Sequence, residues 1–123
     1  MLEYSSTQDI SMSKPNFDMA ICEMQAEISK TLSHPIRIAI LHYLKDGEKT
    51  VNDLTEKLAA SQSNVSQHLA IMRQRQIVKT RREGSTVYYR LASPKISQAC
   101  DMMREVLLDQ LNQRQELAKN YSQ

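Results

Sequence analysis

No tryptophan occurs in this sequence, and phenylalanine appears only once. A core must therefore be built from Leu, Ile, Val and Met. Two glycines in 123 residues leave no glycine-rich loop for cradling a phosphate or dinucleotide. The two cysteines, Cys22 and Cys100, stand far apart and form no Cys-x-x-Cys. That excludes a disulfide scaffold and a dithiol redox motif, and it fits a reducing cytosol. No apolar run approaches the ~20 residues of a membrane span. The N-terminus lacks the basic start and apolar core of a secretory signal. His34, His42 and His68 fall in three different elements without ligand spacing, and no Asp-His-Ser constellation occurs. The expectation is a cytoplasmic chain that is not an enzyme, with no catalytic residue, no metal site, no cofactor and no membrane partner.

What is present is one modest domain with an uneven charge distribution. The net charge is only +2, too small to imply a polyanion partner. Residues 1–61 carry six basic and nine acidic side chains, residues 62–91 six and one, and residues 92–123 four of each. The positive charge is thus concentrated in about a quarter of the chain, as a nucleic-acid footprint would require. A merely solvated basic face would look the same by this measure.

Residues 1–15 are polar, serine-rich and aperiodic, and read as a flexible tail. The domain is expected over 16–119, with a second short tail at 120–123. Phe17, Ile21, Met24, Ile28 and Leu32 recur at helical spacing. Pro35 interrupts that stripe, with Ser33 as the expected N-cap of the next helix. This helix carries Ile36, Ile40, Leu41 and Leu44 and ends at Asp46-Gly47. Thr50 caps a short helix bearing Val51, Leu54 and Leu58, which ends at Ala59-Ala60. Ser61 caps another over 62–74, so two short helices meet at a tight turn, a helix-turn-helix. After Arg75 the period changes to two. Ile77 to Arg82 and Thr86 to Leu91 flank Glu83-Gly84-Ser85, which predicts a β-hairpin. Ser93-Pro94 then opens a last helix with Ile96, Cys100, Met103, Leu107 and Leu111 on one stripe, running to about Lys119.

On the 62–74 helix, Val65, Leu69 and Met72 share one side while Ser63, Gln67, Ala70 and Gln74 lie opposite. Asn64 and Ser66 flank the outward face, and His68 lies nearer the buried side, at the border of that surface. A short, polar, uncharged helix start suits a major groove, because Asn and Gln can bond adenine bidentately and Ser can donate or accept. An ordinary polar surface helix remains the alternative for this element alone. The hairpin shifts the balance: Arg81, Arg82 and Ser85 sit where a wing meets the minor groove or backbone. Arg73, Arg75 and Lys79 add phosphate contacts. Of Tyr88 and Tyr89, one is expected beneath the wing and the other exposed, with the pattern silent on which.

Three segments resemble the ArsR/SmtB repressors. Leu32 to Leu41 (LSHPIRIAIL) looks like the start of that family's second helix. Ser63 to Leu69 (SNVSQHL) is similar to its recognition helix, and Arg82 to Leu91 (REGSTVYYRL) to its wing. The resemblance spans about residues 17–112. It implies a mainly α fold, a winged helix-turn-helix of five helices plus a β-hairpin wing. It also implies a homodimer pairing through the first and last helices, and repression of an operator that an effector relieves. Apolar stripes on both those helices, hard to bury in one small monomer, independently permit the dimer. A two-fold dimer implies an inverted-repeat operator in double-stranded DNA.

The resemblance also locates the family's metal sites. Thr50 to Leu54 contains no cysteine where one site would lie, and Ser93, Lys95, Val106 and Asp109 stand at the other. Lysine and valine cannot replace histidine as ligands. Cys22 and Cys100 remain as sensing candidates for redox, reactive sulfur or arsenite, against the alternative that they only pack and another ligand or a protein partner regulates the chain. A winged helix that binds protein instead of DNA is disfavoured by the basic 62–91 segment.

Overall fold

A computed structural model describes residues 18–121. Their order is α1 (Met19–Leu32), α2 (Pro35–Leu44), α3 (Val51–Leu58), α4 (Gln62–Gln74), β1 (Val78–Glu83), β2 (Thr86–Leu91) and α5 (Pro94–Tyr121). This is the winged helix-turn-helix order. The expected N-terminal tail and Phe17 lie outside the described residues, and α5 continues past Lys119. The chain divides into two compact units, one ending at Ser33 and one beginning at His34.

In the first unit, Asp18 caps α1, its Oδ1 accepting the Ala20 N–H at 3.0 Å. Met19, Ile21, Met24 and Ile28 are exposed along this helix. Ser33 closes α1 by donating its hydroxyl to the Lys30 carbonyl at 2.8 Å. That engagement corrects the sequence expectation that Ser33 caps α2. The N-cap of α2 is His34, whose Nδ1 accepts the Ile36 N–H at 3.2 Å, with Pro35 following. Proline has no N–H, so the first amide in need of a partner belongs to Ile36, within reach of a side chain at 34.

The second unit holds its core between α2, α3, α4 and the hairpin. Ile40, Leu41, Leu44, Leu54, Val65, Leu69, Met72, Ile77 and Val78 are all buried. Thr50 and Asp53 form a reciprocal capping box at the start of α3. The turn into α4 places Ala59 in a left-handed conformation, φ 51°. Ser61 then caps α4 by accepting the Asn64 N–H at 3.2 Å. Beyond Arg75, Gln76 adopts φ 63° and the Ile77 N–H returns to the Met72 carbonyl at 2.8 Å, which directs the chain into β1.

The hairpin is antiparallel, with Val78 opposite Leu91 and Glu83 opposite Thr86. Its loop is therefore two residues, Gly84-Ser85, with Gly84 at φ 63°. Lys49 joins the hairpin through an isolated antiparallel bridge: its N–H and carbonyl bond the Tyr89 carbonyl and N–H at 3.0 and 2.8 Å. Ser93 opens α5 as expected, accepting the Lys95 N–H at 3.2 Å. Along α5, Met102, Met103, Val106, Leu107, Leu108, Leu111 and Leu117 are exposed. Among the described residues no helix is long and apolar enough to cross a membrane.

Candidate nucleic-acid interface

The outward face of α4 follows directly from its period. Val65, His68, Leu69 and Met72 are buried, while Ser63, Gln67, Ala70 and Gln74 are exposed and Asn64 and Ser66 half-buried. The Ser61 cap and the free end of the helix dipole leave the N-terminal turn electropositive without a charged side chain. The first turns of α4 therefore present hydroxyl and amide groups that can both donate and accept.

His68 is the exception among the candidate contacts. It is only 8% exposed. Its Nδ1 accepts the Arg37 Nε–H at 3.0 Å, and its ring lies 4.3 Å from that of His34. Those contacts tie α4 to the start of α2 and correct the expectation that His68 borders the groove-facing surface. Burial, together with the nearby His34 and Arg37, pushes the His68 pKa below the ordinary 6.5. The folded chain resists protonation at His68 where the unfolded chain accepts it. Stability from this site is present above about pH 6.5 and falls as pH drops below it. Urea unfolding at pH 7.5 and 5.5 should give a smaller free energy at pH 5.5, and His68→Gln should shrink the difference. No difference in the wild type would contradict this.

The wing charges divide into two groups. Arg81 is exposed but paired: its Nε lies 3.2 and 3.1 Å from the two Glu48 oxygens, Nη2 2.9 Å from Glu48 and Nη1 2.8 Å from Glu83. Its guanidinium also covers the Tyr88 ring at 4.5 Å. The Arg81 hydrogen bonds hold the Glu48 carboxyl below its usual range. Arg82 and Ser85 are likewise exposed, beside the turn. Arg73, Arg75 and Lys79 are exposed at the end of α4 and the start of β1. The expectation of one buried and one exposed tyrosine is not met. Tyr88 and Tyr89 are both half-buried, because Arg81 covers the first and the Lys49 bridge flanks the second.

Sequence reasoning missed Glu48, Arg37 and Arg90. The first two act through partners 33 and 31 residues away, which no local pattern signals. Arg90 was accessible: a two-residue turn at Gly84-Ser85 sets it opposite Lys79. Cys22 and Cys100 are both half-buried free thiols, and burial and the Asp101 carboxylate push the Cys100 pKa up. Among the described residues no group of three or more His, Cys, Asp or Glu could hold a metal ion.

Comparison with known proteins agrees with this geometry. The family described as bacterial regulatory protein, arsR family, matches residues 34–80. An uncharacterised HTH-type transcriptional regulator of Mycobacterium tuberculosis, Rv0081, is 36% identical over 93 residues, covering 75% of this chain and 82% of that protein. Its crystal structure superposes with a TM-score of 0.68 over 83% of this chain and 98% of that one, at 34% identity. The biofilm growth-associated repressor of Xylella fastidiosa is 34% identical over 88 residues, 72% of this chain and 77% of that protein. A homodimeric winged helix-turn-helix DNA-binding domain from Mycobacterium bovis, Mb0332, gives a TM-score of 0.69 at 25% identity, over 77% of this chain and 88% of that one.

Proposed function

The chain belongs to the ArsR family of bacterial regulatory proteins, and on that premise we propose that it is a dimeric repressor in the cytosol that reads an inverted-repeat operator with α4. The observation that carries this reading is the outward face of α4, where Ser63, Gln67 and Gln74 stand exposed above a fully buried Val65, Leu69 and Met72. Ser63, Asn64, Ser66 and Gln67 form the base-reading group. Arg73, Arg75, Lys79, Arg82 and Ser85 hold the backbone and fix register. The exposed apolar residues of α1 and of α5 supply the pairing surface, and the homodimeric Mycobacterium bovis neighbour supports it. Selection from a random duplex pool tests the reading. It should return two inverted half-sites about 10 base pairs apart, centre to centre, bound at least a thousandfold more tightly than scrambled DNA. Recovery of no consensus would overturn it.

Arg81 acts through the wing instead of through a phosphate. With its donors on Glu48 and Glu83, it joins β1 to the loop before α3 and sets the wing angle. Arg81→Ala should weaken operator binding while leaving the salt slope of the affinity unchanged. Arg82→Ala should weaken binding and reduce the slope by about 0.9 per protomer. Equal slope losses in both variants would place Arg81 on the DNA.

At the sensing end, two schemes stand: thiol chemistry at Cys22 and Cys100, or regulation by another ligand or a protein partner. Both thiols are half-buried and free, and burial together with the Asp101 carboxylate disfavours the reactive thiolate at Cys100; under the second scheme neither thiol matters to DNA binding. Operator affinity measured reduced, oxidised, polysulfide-treated and with arsenite should then be equal. A change that Cys22→Ser or Cys100→Ser abolishes would restore the thiol scheme.

A further inference from the structure

The hairpin carries an electrostatic conflict. Lys79 and Arg90 are directly opposite in the antiparallel register, and both are exposed. Like charges facing each other across a strand pair destabilise it. Nearer the turn on the same face, Arg81 is opposite Tyr88 and is neutralised by Glu48 and Glu83. Glu48 also attracts Arg90 through space, but among the described residues no direct ion pair to Lys79 or Arg90 matches that of Arg81. Arg73, from the last turn of α4, joins them. The three cations, with Gln76 and Thr80, line an open cleft of about 480 Å³. No acidic residue lines it.

We propose that this Arg73–Lys79–Arg90 cleft is a seat for a single phosphate group, supplied by a phosphodiester of the operator backbone. Two guanidinium forks and an ammonium suit a phosphate through charge-assisted hydrogen bonds. A bound phosphate also removes the Lys79–Arg90 repulsion, so relief of that repulsion adds to affinity. The backbone is favoured as the source because the cleft is continuous with α4: Arg73 lies in the last turn of the helix whose outward face carries Ser63, Gln67 and Gln74. The choice of source rests on the DNA-binding reading above, whereas the seat itself rests on the three cations.

Two readouts move in opposite directions if this is correct. In the full-length chain, Lys79→Gln/Arg90→Gln should lower operator affinity about tenfold and reduce the salt slope by about 0.9 per protomer. The Tm of the free protein should hold or rise, because the repulsion is gone. Arg73→Gln lies on the helix instead of the hairpin and should reproduce the affinity loss, so wing misfolding cannot mimic the result. A wild type that binds its operator with steep salt dependence, and variants that match it, would overturn the seat and leave the DNA reading intact. If instead the wild type shows no salt-dependent DNA binding, inorganic phosphate decides. A millimolar phosphate-dependent rise in Tm, absent from the double variant and from chloride at equal ionic strength, would assign the seat to a free phosphate. No such rise would end the proposal.

Discussion

Leu107→Glu should yield a folded monomer whose operator affinity has fallen at least a hundredfold. Leu107 is 53% exposed within the single chain and is flanked on α5 by the exposed Met103, Val106, Leu108 and Leu111. A substitution at so exposed a site leaves the fold of one protomer within about 0.5 kcal/mol. At a pairing surface the same carboxylate must be desolvated without a partner, which costs several kcal/mol. Linking two reading heads raises avidity by about 10²–10⁴ over one head, and the monomer forfeits that factor. Sedimentation equilibrium and fluorescence anisotropy on the selected duplex check the two halves of this expectation. A persistent dimer with unchanged affinity would move the pairing surface off α5.

The second large effect separates the two faces of α4. Leu69 is fully buried, and Leu69→Ala removes its packing and leaves a cavity, at a cost of about 2–5 kcal/mol. In a domain of this size that lowers Tm by roughly 10 °C or more. Two residues earlier, Gln67 is exposed, and Gln67→Ala should leave Tm unchanged. Its effect appears on DNA instead: loss of one bidentate amide contact costs about 1–3 kcal/mol of discrimination at one base pair per half-site. Thermal melts and affinities for single-substitution operator variants distinguish the outcomes. Gln67→Ala that melts early, or that keeps full base preference, would contradict the assignment of the outward face.

The reach of the sequence followed the range of the forces involved. The bounds of α4 were legible because its cap, its 3.6-residue period and its stop lie in the helix or directly beside it. The Thr50 capping box and the Ser93-Pro94 start of α5 are local for the same reason. Ser33 misled because two helix ends compete for it: the Lys30 carbonyl takes its hydroxyl, and His34 caps α2. His68 misled for a different reason. Its position on the period is a border position, and only Arg37, brought in by the packing of α2, decides that it turns inward. Arg81 and Arg82 are neighbours of identical chemistry. Strand alternation sends their side chains to opposite faces, and Glu48, 33 residues away from Arg81, selects one of them as a strut. Composition located the positive charge in residues 62–91, but the division of that charge between bracing the wing and meeting phosphate needed the hairpin register.

The most direct test of the central claim is the salt dependence of operator affinity for the unmodified chain. Anisotropy titrations on the selected duplex between 50 and 200 mM salt should give a straight line of log affinity against log salt. A dimer holding 6–10 phosphates should lose about three to five powers of ten in affinity across that range. An affinity that does not change with salt, or the absence of binding at the lowest salt, would contradict the assignment of α4 and its wing to DNA.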